Sequence, residues 1–160
     1  MAGNELYDTV CQKLITSRIE FVSQLARFRS EELVLQVVPS GWSPLQVAYH
    51  LSLIDGLALT QMCLIQEMDN PQLDNLADQA SHLGQELPLP LSLDHVLTQM
   101  AARRKELFTY LEQLSLDAWQ RSFHYAAWGV HTLYQLVMML PLYDLQHTQQ
   151  LTTLKAFMGR

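Results

Sequence analysis

The sequence has little of several things, and each shortage excludes a class of protein. Two cysteines, Cys11 and Cys63, are too few for a disulfide framework or a cysteine-rich zinc site. The six glycines are dispersed, so no glycine-rich loop can cradle a phosphate, and no nucleophile elbow of the serine-hydrolase kind occurs. Charged residues make up only 16% of the chain and the net charge is -6, with the ten Lys and Arg scattered apart from Arg103, Arg104 and Lys105. A nucleic-acid groove needs a concentrated basic stripe, so no nucleic-acid partner is expected. No basic-then-apolar leader opens the chain, and no apolar run is read as reaching the ~20 residues that span a bilayer. The expected setting is the cytoplasm, with no membrane partner.

What is present is apolar sequence at helical spacing. Hydrophobic residues are 49% of 160, enough for a real core in one domain spanning 1–160. The first helix is predicted from about Glu5 to about Phe28, with Leu6, Val10, Leu14, Phe21, Leu25 and Phe28 on one face. The second begins at Ser43-Pro44-Leu45-Gln46, a capping box with proline in the first turn, and ends near Asn70-Pro71. A third begins at Ser92 and carries Val96, Met100, Leu107 and Leu111. The fourth begins at a second capping box, Thr132 to Gln135, and runs to Met158 through Pro141, which should kink it just before Tyr143. No segment shows sustained alternation. The aromatic stretch from Phe123 to Trp128 reads as a packed loop or lid.

The connection from Asn70 to Leu91 is long, with room for a short helix from Leu76 to Leu83. It can cross the length of a bundle, so the second and third helices can run parallel. The expected fold is all-α: a four-helix bundle, up-down-down-up, with a long crossover between helices 2 and 3.

Among the six histidines, His50 and His147 stand out because each lies on or beside a core-facing stripe. His50 lies about 10 Å into the second helix, and His147 about 16 Å from the end of the fourth. Antiparallel helices 2 and 4, which this topology requires, bring them to the same level, with Tyr143 one turn from His147. Spacing alone leaves two readings open: a buried polar pair with a tyrosine partner, or part of a chemical site.

The chain resembles the DinB-like (YfiT-like) four-helix-bundle superfamily. The resemblance rests on Gly41-Trp42-Ser43-Pro44-Leu45-Gln46-Val47-Ala48-Tyr49-His50-Leu51, similar to WS-x-x-E/Q-V-x-x-HL. It rests also on Gly129-Val130-His131-Thr132-Leu133 and on Tyr143-Asp144-Leu145-Gln146-His147-Thr148-Gln149-Gln150-Leu151, similar to H-D-x-x-H-x-x-Q-L. It implies a divalent metal, Zn²⁺ or Ni²⁺, at His50, position 143 and His147. Position 143 is tyrosine here, a weak or absent ligand, so the implied metal is held weakly or not at all. Asp144 is one residue off and about 100° around the helix, so it cannot take the place of Tyr143. The resemblance also implies a metal-dependent hydrolase or thiol-dependent transferase acting on a small molecule or a thiol, in a homodimer. The alternative is a degenerate, metal-free bundle that binds a small molecule or serves as a dimeric stress-associated protein. No catalytic residue is assigned.

Overall fold

A computed structural model describes residues 2–37, 41–86, 92–126 and 128–159. Residues 87–91 of the long connection and Ala127 of the aromatic stretch lie outside the described residues. Four long helices form the frame: α1 (Ala2–Leu25), α2 (Pro44–Glu67), α4 (Leu93–Glu112) and α6 (Leu133–Met158). The crossover holds β1 (Gln72–Leu73) and α3 (Leu76–Glu86). Between α4 and α6 come α5 (Leu116–Trp119), β2 (Ser122–Tyr125) and β3 (Gly129–Thr132).

Both capping boxes form as the sequence predicts. Ser43 Oγ accepts from the Gln46 amide at 3.2 Å while Gln46 Oε1 accepts from the Ser43 amide at 2.8 Å. Thr132 and Gln135 repeat the pair on α6. Each box satisfies two amides that a helix start otherwise leaves orphaned. α6 continues as one helix through the buried Pro141.

Side-chain pairings give the direction of each helix. Ser17 and Arg18 of α1 meet Asp144, and Glu32 just past α1 meets Lys155, so α1 and α6 run parallel. Asp55 meets Arg104 and the Met62 carbonyl meets Tyr110, so α2 and α4 run parallel too. The Leu14 carbonyl accepts from Arg104, while Tyr7 lies within the field of Glu112, which sets α1 against α4. The bundle is up-down-down-up.

Two expectations need correction. The aromatic stretch after α4, expected as a packed loop or lid, instead contributes a strand: β2 pairs antiparallel with β3, and β1 adds to β2 in parallel, giving the order β1-β2-β3. Phe123 and Tyr125 turn inward from β2 and are buried, while Gly129 takes a left-handed φ of 78° as β3 begins. Second, α2 is by length and composition apolar enough to cross a bilayer, with an 18-residue window of mean hydropathy 1.3. In the bundle 61% of that window is buried, because α2 packs against α3, α4 and α6. An apolar helix contacted on several sides is a core helix.

The core holds one feature that apolar patterning does not predict. Asp55 and Asp144 are buried between Arg18 and Arg104. Asp144 accepts from Arg104 Nη2 at 3.0 Å, from Arg18 Nη2 at 3.0 Å and from Ser17 Oγ at 2.7 Å. Two carboxylates face two guanidiniums, so the group is neutral overall and each charge has partners. A buried ion needs both conditions.

Candidate functional site

His50 projects inward from α2, two turns after its capping box, and is 6% exposed. His147 projects from α6 and is half-buried. The antiparallel pairing of the two helices sets the imidazole centroids 5.2 Å apart, tilted by 39°. The indole of Trp42, just ahead of α2, lies 4.7 Å from the His50 ring.

The tautomer of His147 follows from its partner. Nδ1 lies 2.6 Å from the main-chain carbonyl of Tyr143. A carbonyl can only accept, so Nδ1 carries the proton and Nε2 keeps its lone pair when the ring is neutral. Burial lowers the His147 pKa, opposed by that carbonyl and by the charge of Asp144. His50 is pushed down to about 4, chiefly by burial and then by the proximity of His147. Both rings are therefore neutral at pH 7, the form that accepts a proton or ligates a cation.

Tyr143 is buried one turn before His147. Its hydroxyl meets the Ala77 amide and the Asn75 side chain at the start of α3. Burial raises its pKa, and those two contacts pull the other way. Asn75 also caps α3, its Oδ1 accepting from the amides of Ala77 and Asp78. The phenol is thus engaged with the first turn of α3.

These residues can be tested against a metal ion. Two Zn–N bonds of about 2.0–2.1 Å at a tetrahedral angle set imidazole centres about 5 Å apart, close to the spacing of His50 and His147. A third donor is the difficulty. Tyr143 has its phenol proton held more firmly than usual, and its hydroxyl is directed to α3. Among the described residues no group of three or more His, Cys, Asp or Glu side chains could hold an ion. The donor set fits two corners of a site and does not fit a resident, three-ligand metal.

The sequence profile of the DinB superfamily matches residues 14–151, which include every residue of this site. The chain belongs to the DinB superfamily. No curated protein matches it by sequence comparison. YfiT from Bacillus subtilis, described as a probable metal-dependent hydrolase with an unusual four-helix bundle topology, superposes with a TM-score of 0.78. Identity is 17%, over 96% of this chain and 87% of YfiT. The four-helix bundle protein TT2238 gives a TM-score of 0.67 at 17% identity, over 92% and 98% of the two chains. A mycothiol-dependent maleylpyruvate isomerase gives 0.65 at 15% identity, over 89% of this chain and 60% of the isomerase. At these identities the likeness is one of fold.

Within this DinB-superfamily bundle the remaining histidines stay apart from the pair. His82 and His95 are exposed, and His124 and His131 belong to the small sheet. Trp42 and the aromatic group after α4 lie at opposite ends of α2. Gln66 near the end of α2 indeed bonds the Ala118 carbonyl, and Arg121 bonds those of Ile65 and Met68. Not read from the sequence are the packing of Trp42 on His50 and the place of Tyr49 in the wall of the adjoining cavity. The signal was there: an aromatic residue directly ahead of the cap sits two turns below His50.

Proposed function

We propose that this DinB-superfamily protein binds a small molecule at the His50–His147 pair and works there without a resident metal. The occupation of position 143 by a tyrosine whose hydroxyl serves the start of α3 carries this reading. The paired imidazoles remain, and His147 supplies the chemistry available to the chain alone. Its Nε2 lone pair can take a proton from a bound thiol, hydroxyl or water, while the Tyr143 carbonyl holds the opposite side of the ring in place. That is the proton-accepting half of a thiol transfer or a hydrolysis. His50, with its pKa near 4, serves better as a hydrogen-bond acceptor than as a base.

A second reading is favoured by the 5.2 Å spacing of the rings. Here the protein is a metal-dependent hydrolase or thiol transferase, and His50 and His147 hold Zn²⁺ or Ni²⁺ through two nitrogens only. Metal analysis of protein purified without chelator separates the two, paired with an assay of thiol addition to chlorodinitrobenzene. The first reading expects substoichiometric metal and turnover that survives chelation and is lost in His147→Ala. Stoichiometric metal, with turnover abolished by chelation, would establish the second.

A further inference from the structure

A cavity of about 320 Å³ opens between α2 and α3, with His50 in its wall. Trp42, Tyr49, Leu53 and Ala80 give it aromatic and aliphatic surface, and Gln46 and Ser81 give it neutral polar groups. Among the described residues no Asp, Glu, Lys or Arg lines it. Gly84 of α3 faces the same space, and a Cβ there would just touch Leu53, at 3.4 Å.

We propose that this cavity takes a small uncharged aromatic molecule, its ring against Trp42 and a hydrogen-bond donor on that ring directed to His50. The proposal rests on the reading of His50 as part of the ligand site and adds the class of ligand. An anion finds no cation in the wall and a cation finds no carboxylate, so either would lose hydration without compensation. A neutral donor finds an imidazole acceptor. Size points the same way. A cavity of about 150 Å³ holds benzene, and ligand pockets begin at about 300 Å³, so one ring or two fused rings fit. Trp42 is half-buried and offers a flat surface at the mouth.

The test uses the intact chain in chelator, followed by amide and indole NMR shifts during titration with indole, indoleacetate and tryptamine. Indole is expected to move the signals of Trp42, Ala80 and Gly84 saturably, with the two charged analogues at least about tenfold weaker. Gly84→Leu should fill the cavity and weaken indole by at least about tenfold. Glycine is a poor helix former, so leucine at this α3 position favours the helix, and a thermal melt verifies the fold. Trp42→Ala provides an independent loss. Absence of saturable shifts, equal binding of the charged analogues, or full indole binding by folded Gly84→Leu would each overturn the proposal. The titration involves neither metal nor turnover. Seated indole with an inert histidine pair keeps the cavity and removes the functional reading; a reactive pair with indole excluded does the reverse.

Discussion

The carboxylate of Asp144 meets the guanidinium of Arg104 at 3.0 Å in the interior of the bundle, and Asp144 has no exposed surface. Asp55 and Arg18 complete the group, so α1, α2, α4 and α6 each contribute one charge. Breaking one partner leaves an unbalanced charge behind. Asp144→Asn is expected to cost about 3–5 kcal/mol in urea unfolding. Ser17→Ala removes one hydrogen bond to the same carboxylate and should cost about 1–2 kcal/mol. Equal, small losses for both would mean the quartet is no more than surface-like ion pairing.

His50 makes the fold sensitive to mild acid. Its pKa is depressed to about 4 in the folded chain, while the unfolded chain takes the proton near the ordinary value of 6.5. Between the two, the unfolded state binds more protons, so stability rises with pH and is fully present above the ordinary value. Lowering the pH from 7 to about 5 should cost about 2 kcal/mol through this group. Urea unfolding in chelator at both values measures it. His50→Gln should flatten the profile in this window; an unchanged slope in that variant would assign the sensitivity elsewhere.

A second acid transition belongs to Glu32. Its pKa falls to about 2, first through the Arg29 amide and then through Lys155, whose ammonium lies 2.9 Å away. A depressed carboxylate stabilises the fold above its ordinary pKa, and that contribution disappears as pH falls through about 2. Lys155→Met should raise the Glu32 pKa, so that acid loss begins at higher pH. Carboxyl carbon shifts in an NMR titration read the pKa directly.

Tyr143→His places a third imidazole one turn from His147. Calorimetric titration should show Zn²⁺ or Ni²⁺ bound at least about tenfold more tightly than by the unaltered chain. His50→Ala in the same background should reverse the gain. No gain in Tyr143→His would show that position 143 does not reach the pair even with a competent ligand.

Much of this molecule is legible from local signals. The two capping boxes mark the starts of α2 and α6 because each uses side chains three residues apart. The His50–His147 meeting was legible because helix rise converts sequence position into height, once the long connection sets α2 against α6. The strands β2 and β3 were not legible, since four residues of alternation are too short a period to stand out beside an aromatic run. The ion quartet escaped for another reason. Arg104 sits on the stripe of Met100, Leu107 and Leu111, and Ser17 sits between Leu14 and Phe21. Each reads alone as an interruption; only the tertiary fold supplies the opposite charges. The engagement of Tyr143 with α3 is likewise a contact between distant segments that no local pattern encodes.

The parallel pairing of α1 with α6 has a consequence for assembly. Ser17 and Asp144 are 127 positions apart, and Glu32 and Lys155 are 123 apart. During synthesis α1 emerges long before the helix it packs on. Until α6 arrives, Arg18 lacks one of its two carboxylates, and the apolar side of α1 around Phe21 and Leu25 lacks its cover. Closure of the bundle therefore waits on contacts between segments at least 123 positions apart. Such non-local contacts slow folding and lengthen the exposure of apolar surface. Until then α1 keeps an uncovered apolar stripe, a surface that a chaperone can hold.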